Sequence, residues 1–548
     1  MAKWTRRQFI QSASIAAGGL ASGAYAQDGW KRGDVVHLIP GANHERFAVK
    51  CSFASSRGSV KLKVDGRSVS GKPVDNDGKY FSFDVGGLKP DREYKLQLFD
   101  SKDKAITDSW PLSTFPAPDA SPPSVRLLTY TCAGGTEDIP NRQVQSFLAI
   151  AQRQRLLRRA LSFRPHAMIA IGDHFYLDQR TQLESKHEAV RERAAEFYNG
   201  LGRLNLAEPA QAPHNELAIK SSCEPQIARL YETMLRSTPS YFVNDDHDYF
   251  ENDEAWDSLV TLPPHAYQLS FGRHVRNLFI PEFLPDVARP ELMSGAGAGD
   301  REAGVSESYG TFRYGDLAEA LIYDCARFLS LKGDAAGLIA PEAEKWLVDR
   351  TKDQSVRNLL HVPSHPFGWT AGKWREWYAD VADTGADGPA VAATQIRTGE
   401  RFRLTTDREK FMWQKGWFGQ HQRILSALAD QEKRSGVILS GDLHATGHGL
   451  IQKSNSLNFS RNPVHAILTG PLGTGTGWPS GGRGTPPLIA TALGMDNLAE
   501  VQEKNGFTIV DMTPDETVVR MFQWKRGEPE EAIDSLEPYH TYTIRRRG

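Results

Sequence analysis

The chain has 548 residues, of which 40% are hydrophobic and 24% charged, so we expect at least two domains, one large enough for a buried α/β core. Its 65 basic and 67 acidic side chains give a formal charge of -2, which argues against a stable nucleic-acid partner held by phosphate electrostatics. No stretch beyond the N-terminal region is long and apolar enough to predict a membrane span.

The first 26 residues resemble a twin-arginine export signal. The pair Arg6-Arg7 precedes a weakly apolar run over 12–21 and the cleavage pattern Ala24-Tyr25-Ala26. The alternative is a basic N-terminus followed by an Ala-rich helix. The resemblance implies that the twin-arginine export machinery is a partner, that cleavage leaves Gln27 first, and that the mature protein is periplasmic or secreted.

The four cysteines are scattered and lack the short, regular spacings of a disulfide scaffold or a zinc knuckle. Folding in a reducing compartment before export makes disulfides still less favourable. A single thiolate metal ligand remains open.

An all-β module is predicted over 35–115. Apolar positions such as Val60, Leu62 and Val64 alternate with polar neighbours, and Gly and Asp mark the turns. The stretch 85–94 resembles the loop and strand of a fibronectin type III or immunoglobulin-like sandwich. Proline-rich residues 116–124 predict an extended linker, so we place the catalytic domain at 125–548.

The catalytic domain begins with a predicted βαβ unit. Its elements are a strand at 125–131, a helix at 144–161 and a strand at 166–171. Further apolar strands are predicted at 241–243, 320–323, 358–361, 437–440 and 466–469, and two final antiparallel strands at 507–512 and 517–524. Strands interspersed with helices indicate an α/β fold.

Residue types that bind metals follow directly after five of these strands. The segments are 131–134, 172–176, 244–248, 361–366 and 440–444. An Asp after a strand is commonly a helix cap or turn residue, and a lone His is usually a satisfied polar group. Together, however, the segments contain the residue types that a dinuclear phosphoesterase needs, which are a bridging carboxylate, further ligands and a protonated group. Active sites of open α/β sheets also lie at the carboxyl ends of the strands, where these segments occur.

These motifs resemble the calcineurin-like metallophosphoesterases, and within them the alkaline phosphatase D family. The resemblance rests on Gly172-Asp173-x-x-Tyr176, Asp245-Asp246-His247 and Gly441-Asp442-x-His444. It extends over essentially the whole chain, including 312–316 and 324–327. It implies an α+β layered metallophosphoesterase sandwich with an N-terminal all-β domain, and an exported phosphatase or phosphodiesterase that hydrolyses phosphate esters with a metal-bound hydroxide.

The resemblance also implies a first metal site. Asp173 would bridge both metals, and Cys132, Tyr176 and His444 would complete the first site. Tyrosinate and thiolate ligands make Fe3+ the expected ion there. From the residues alone, Cys132 could instead be a buried thiol and Tyr176 could cap the sheet edge.

The second site is implied to use Asp246 and Asp442, whose hard oxygens suit Ca2+, with Mn2+, Mg2+ or Zn2+ as alternatives. Where the family usually reads Asp-Asp-His-Glu, this chain ends the motif in Asp248 and continues one residue longer. Asn252 is therefore an alternative or additional ligand. His365, or else His361, is a further candidate for the second metal or for substrate contact.

Two residues are expected to act on the substrate. His247 occupies the family position beside the leaving group, and a histidine pKa suits a general acid. Arg327 follows the strand-end Asp324 and could bind a phosphoryl oxygen with two hydrogen bonds, and a surface salt bridge is the equally weighted alternative.

Two other functional classes are compatible with parts of the sequence. A non-catalytic surface-binding protein could retain a degenerate phosphatase core, but the intact Asp173, Tyr176, His247, Asp442 and His444 argue against it. A serine esterase would need a G-x-S-x-G motif, which the sequence lacks. The glycine-rich segment 470–477 has no P-loop lysine and is interpreted as an active-site rim.

Overall fold

A computed structural model describes residues 29–139, 147–185, 187–249, 266–290, 293, 305–328, 337–370, 382–383, 403–404, 415–474, 480, 486–490 and 493–547. The predicted export signal at 1–26 and the candidate ligand Asn252 lie outside these residues. The described residues from 32 onward belong to one compact unit.

The N-terminal part consists of two antiparallel four-stranded sheets. Its strands are β1 (Val35–Ala42), β2 (Phe47–Phe53), β3 (Val60–Val64), β4 (Arg67–Ser70), β5 (Lys72–Pro73), β6 (Tyr80–Val85), β7 (Glu93–Asp100) and β8 (Trp110–Ser113). The sheet orders are β1-β2-β6-β5 and β4-β3-β7-β8. This part is all-β, as its alternating sequence predicts. Its identity as a fibronectin-like domain, and the limits 35–115 and 116–124, remain predictions.

The rest of the chain forms two larger sheets with helices around them. Its first strands are β9 (Val125–Thr131), β10 (Ala167–Ile171), β11 (Ser240–Val243), β12 (Tyr309–Tyr314), β13 (Ala318–Tyr323), β14 (Asn358–Pro363), β15 (Trp369–Thr370), β16 (Ala382–Asp383) and β17 (Arg403–Leu404). They are followed by β18 (Val437–Ser440), β19 (Thr446–Ser454), β20 (Leu457–Asn458), β21 (Val464–Thr469), β22 (Leu488–Ile489), β23 (Leu493–Gln502), β24 (Asn505–Met512), β25 (Glu516–Trp524) and β26 (His540–Arg545).

The first large sheet has the order β11-β10-β9-β24-β25-β26. Strands β9, β10 and β11 run parallel, and β24 pairs antiparallel with both β9 and β25. All five residues of β10 are buried, as expected for a central parallel strand covered on both faces. The predicted final pair is confirmed, but β26 was not predicted because only one of its six residues is buried.

The second large sheet has the order β12-β13-β14-β18-β21-β19-β20, and β23 pairs with β19. Strands β13, β14, β18 and β21 are parallel neighbours, and all four were predicted from their apolar runs. The antiparallel strands β12, β19, β20 and β23 were not predicted. Two short pairs, β15 with β22 and β16 with β17, lie outside this sheet.

Helices surround these sheets, and the structure is of mixed α/β type. They are α1 (Ile150–Leu161), α2 (Glu188–Phe197), α3 (Pro213–Cys223), α4 (Ala228–Tyr231), α5 (Ala266–Phe279), α6 (Pro341–Lys352) and α7 (Lys415–Ala429). Side chains of α1, α4 and α5 share a hydrophobic core with the first large sheet, and Ile39 and Tyr80 of the N-terminal part enter the same core. Among the described helices, none is both long and apolar enough to cross a bilayer.

Candidate metal centre

The carboxyl ends of four parallel strands meet at one place, where the turns that follow them contact each other. Cys132 follows β9, Asp173 follows β10, Asp245 follows β11 by two residues, and Asp442 follows β18. The Cys132 N–H donates to the Gly172 carbonyl at 3.2 Å, and the Asp442 N–H donates to Thr131 Oγ1 at 3.2 Å. Both large sheets therefore contribute to one site.

Four of the predicted ligands converge in a first cluster. Ligand atoms of Cys132, Asp173 and His444 all lie within 4.8 Å of one another. The Tyr176 hydroxyl donates to Asp173 Oδ2 at 2.8 Å and lies 3.5 Å from His444 Nε2. A thiol, a carboxylate, a phenol and an imidazole thus face one small volume, a ligand set that can hold a metal ion.

A second cluster adjoins the first. Carboxylate oxygens of Asp245, Asp246 and Asp442 lie within 4.8 Å of one another, and so do ligand atoms of Asp173, Asp246 and His247. Asp173 therefore touches both clusters, as expected of a bridging carboxylate. Asp245 belongs to the site although the sequence analysis did not select it as a ligand. Its place in the Asp245-Asp246-His247 motif was the available signal.

The candidate ligands lie in an uncommon backbone conformation. Cys132, Asp173, Asp442 and His444 have φ angles of 47°, 56°, 65° and 48°. L-residues seldom adopt positive φ, and such strain concentrates at functional sites. Four of the candidate ligands therefore share this conformation, although non-glycine residues in turns elsewhere in the described chain adopt it too.

Two glycines in these motifs are required by close approach of the turns. A Cβ at Gly172, whose φ is +67°, would lie 2.5 Å from Asp245 Cβ. A Cβ at Gly441 would lie 2.2 Å from Thr131 Oγ1 and 2.8 Å from the Ile171 carbonyl oxygen. The Gly-Asp pairs of both motifs therefore allow the strand ends to pack against each other while each Asp enters the site.

The electrostatics of the site favour a bound cation. Burial and the charge of Asp173 raise the pKa of Asp245 well above its usual value. Burial opposes ionisation of Asp173 too, but His247 and His444 hold the pKa of Asp173 below its usual value. Burial and Asp173 also raise the pKa values of the Cys132 thiol and the Tyr176 phenol. A cation would offset the carboxylate repulsion and favour thiolate and phenolate.

One buried ligand atom supports the same conclusion. Asp173 Oδ1 has no hydrogen-bond partner among the described residues, although Asp173 is fully buried. A buried carboxylate oxygen is unfavourable unless it is hydrogen-bonded or binds an ion. The donor set and this oxygen fit the metal centre that the sequence predicts.

The remaining predicted residues occupy different surroundings. His247 is only partly buried, and its ring centroid lies 4.1 Å from that of Tyr176. His365 Nδ1 lies 2.6 Å from Asp245 Oδ1, which places His365 behind a carboxylate of the second cluster. His361 is not brought to the clusters, since its ring nitrogens contact Thr351 at 2.8 Å and Tyr323 at 3.3 Å.

Arg327 lies in an ion pair shortly after β13. Its Nη1 is 2.6 Å from a Glu307 oxygen and 3.1 Å from Ser308 Oγ. Its backbone N–H donates to Asp324 Oδ1 at 3.0 Å. The salt bridge that the sequence analysis offered as an alternative is therefore present, but with buried Glu307 rather than at the surface.

The glycine-rich segment lies against the first cluster, as its interpretation as a rim requires. The N–H groups of Gly473 and Thr474 donate to the Cys132 carbonyl at 2.9 and 3.2 Å. Thr474 Oγ1 lies 3.5 Å from the Tyr176 hydroxyl. Only its part up to Thr474 belongs to the described residues.

No family model matches the sequence, and no curated protein matches it. Solved structures nevertheless match nearly the whole chain. A structure of PhoD has a TM-score of 0.57 at 12% identity and covers 93% of this chain and 90% of its own. A structure of purple acid phosphatase PPD1 from seeds of yellow lupin, Lupinus luteus, has a TM-score of 0.52 at 10% identity and covers 94% and 75%. Both are calcineurin-like metallophosphoesterases, so the resemblance stated from the motifs is confirmed at the level of the fold.

Proposed function

Starting from the metallophosphoesterase fold, we propose that this protein is an exported, metal-dependent hydrolase of phosphate monoesters or diesters. The observation that supports this most directly is the convergence of Cys132, Asp173, Tyr176 and His444 beside three clustered aspartates. Such a cluster of buried acidic groups carries an electrostatic cost that bound cations would offset. The twin-arginine route and a periplasmic or secreted location belong to the same proposal.

The chain's own residues would hold two metal ions. Cys132, Asp173, Tyr176 and His444 would bind the first, for which thiolate and phenolate favour Fe3+. Asp173, Asp246 and Asp442 would bind the second, whose oxygen ligands suit Ca2+, and Asp245 adjoins this set. When bound, the two ions would activate water and neutralise charge on the phosphoryl group.

His247 would supply the proton that the leaving group needs. One of its ring nitrogens lies within 4.8 Å of carboxylate oxygens of both Asp173 and Asp246, and its side chain is partly exposed. An ester bound at the clusters would place its leaving oxygen within reach of this imidazole. As the P–O bond breaks, His247 would donate its proton to the departing oxygen and prevent formation of a free alkoxide.

Arg327 would bind a phosphoryl oxygen from the edge of the site. Its guanidinium already contacts Glu307, so it would be held in a fixed orientation rather than searching many rotamers. The same contact means that the net positive charge it offers to a substrate is reduced by the Glu307 carboxylate.

The proposal can be tested on protein exported through its own N-terminal region. Metal content and hydrolysis of aryl phosphate monoesters and diesters would be measured before and after chelation. Asp173→Asn should abolish hydrolysis, because it removes the carboxylate shared by both clusters. Asp511→Asn is the control, since Asp511 on β24 pairs with Arg126 near the amino end of β9, the end opposite Cys132, and with Arg520 on β25. A metal-free, inactive wild-type protein would favour the binding-protein alternative instead.

A further inference from the structure

Asp248 is a fully buried carboxylate directly after the proposed general acid. It lies in the single helical turn His247–Tyr249, but its side chain folds back toward the strand ends. In the sequence it drew attention only because the family usually has Glu at this position. Its contacts give it a role that neither the motif nor the fold comparison assigns.

The Asp248 carboxylate occupies a cradle of backbone N–H groups in the Asp173 turn. Oδ2 accepts from the Asp173 N–H at 3.0 Å, and Oδ1 accepts from the His174 and Phe175 N–H groups at 2.8 and 3.2 Å. Gly172 and Asp173 both have positive φ, which turns successive N–H groups toward one point. Such a backbone nest accepts the oxygens of an acidic group, and here that group is a side chain of the same protein.

The same carboxylate also holds the neighbouring strand end. Oδ2 accepts from the Asp245 N–H at 2.9 Å. Asp248 therefore links the turn that carries Asp173 to the turn that carries Asp245 and Asp246. A carboxylate offers about four acceptor positions, and all four are used by these N–H groups. Asp248 is thus saturated and has no lone pair left for a metal ion.

We propose that Asp248 is a positioning residue, which fixes the Asp173 and Asp245 turns in the conformation that binds metal ions. This inference rests on the proposed function for its catalytic consequence, but it predicts metal affinity independently of any substrate. Removing an outer partner that orients metal ligands typically weakens metal binding by about 10–100-fold. We expect a loss of this size without the loss of a ligand atom.

Asp248→Asn is the informative variant, because it has nearly the same shape. Its single oxygen can accept from only one pair of N–H groups, and its NH2 group would face the other pair. Titration of Mn2+ into chelator-treated protein should show weaker binding by about 10–100-fold. The kcat for an aryl phosphate should fall more than KM rises. Asp248→Glu, which keeps the charge, should retain more of the affinity than Asp248→Asn.

Asp75→Asn is the matched control. Asp75 also has a fully buried side chain that accepts from two backbone N–H groups, those of Lys79 and Tyr80, but it lies in the N-terminal part. It should lower thermal stability and leave Mn2+ affinity unchanged. Equal Mn2+ affinity in wild type and Asp248→Asn would overturn the proposal, as would equal loss in both Asn variants.

A second measurement covers the case in which Asp248→Asn fails to fold. Amide hydrogen exchange in the wild-type protein without metal should show strong protection at Asp173, His174, Phe175 and Asp245. Rapid exchange at these four amides would overturn the proposal. A wild-type protein that binds Mn2+ but hydrolyses no phosphate ester would refute the proposed function alone, because the affinity comparison would still stand.

Discussion

The contacts of Lys220 allow a quantitative test of how strongly the N-terminal part is attached to the rest of the described chain. Its Nζ lies 2.7 Å from Asp75, 2.9 Å from Glu216 and 3.1 Å from Asp77. Asp75 and Asp77 belong to the N-terminal part, whereas Lys220 and Glu216 lie on α3. The side chains of Asp75, Glu216 and Lys220 are 0%, 4% and 6% exposed, so the ammonium is shared by buried carboxylates.

We expect Lys220→Met to destabilise the protein by about 3–5 kcal/mol, the usual cost of leaving buried charges without their partner. Asp77 adds little to this figure because its side chain is 52% exposed. Methionine keeps the length of the aliphatic stem, so the change isolates the charge. The effect should be fully present at pH 7. Despite burial, the bonds from His274, Asn76 and Lys220 lower the pKa of Glu216 to about 2, so its stabilising contribution is lost only as the pH falls from about 4.5 toward 2.

The same cost in free energy gives a different shift in melting temperature depending on whether the N-terminal part unfolds together with the rest of the chain or alone. Unfolding entropy is about 2.1 cal/mol/K per residue, or about 1.1 kcal/mol/K for a unit of roughly 500 residues. If the described residues from 32 onward melt together, Lys220→Met should lower the melting temperature by about 3–5 °C. If the N-terminal part of roughly 80 residues melts alone, the same cost lowers its own transition by about 18 °C or more.

Differential scanning calorimetry distinguishes these outcomes. A single transition shifted by a few degrees would indicate one cooperative unit, whereas a separate, strongly shifted early transition would support the predicted division near residue 115. Lys345→Met is a suitable control, because Lys345 is 78% exposed and pairs with Asp349 on its own helix. An unchanged melting profile for Lys220→Met would refute the reasoning about its buried partners.

Two further predictions concern buried polar groups. Gln226 Oε1 accepts from the N–H groups of Gly135 and Tyr176, both at 2.6 Å, so Gln226→Leu should cost about 2–4 kcal/mol and weaken Mn2+ binding. Gln226→Glu keeps this acceptor and should bind Mn2+ more tightly than Gln226→Leu, although it loses the bond from Nε2 to the Ser222 carbonyl and is destabilised by that loss. Calorimetry and titration of both variants check this, and equal behaviour of the two would contradict it. His448 contacts His465 and His540 at 3.0 and 3.1 Å, and burial lowers the pKa values of His448 and His465 to about 2 and 4. In the unfolded chain these histidines have a pKa near 6.5, so below that pH the unfolded chain binds more protons than the folded protein. The free energy of unfolding, measured by urea titration, should therefore fall by about 1–3 kcal/mol between pH 7 and 5. A His448→Gln variant whose unfolding free energy shows the same dependence on pH would contradict this.

The parallel strands were predictable because a strand that is buried on both faces has a continuous run of apolar residues in the sequence. The strand at 125–131 was predicted with its observed limits, and β10, β14 and β21 were found within two residues at most of their ends. The antiparallel edge strands were not predicted. In β26 exposed and partly buried residues alternate with a single buried Ile544, and β20 has two exposed residues, so neither shows an apolar run.

The candidate ligands were proposed for a different reason. Asp173, Tyr176 and His444 stand in motifs that resemble those of a known family, and the fold brings these three side chains together. Asp245 and Asp248 were recognised only as motif neighbours. No local pattern reveals that Asp245 joins the second cluster or that Asp248 turns back to bind four N–H groups, because both follow from the packing of β10 against β11.

The positive φ angles explain why the site needs so many buried polar supports. Each strained residue costs about 1–3 kcal/mol, and four candidate ligands share this conformation. Arg153 offsets part of this cost in the Cys132 loop by donating to the carbonyls of Ala133, Gly134 and Gly135 at 3.1, 2.9 and 2.7 Å. Gln226 joins that loop to the Tyr176 turn, and Asp248 joins the Asp173 and Asp245 turns. These supports come from separate elements, so the ligand positions are determined by the folded protein rather than by the ions alone. Rigid placement of this kind lowers the cost of assembling the site when ligand or metal binds.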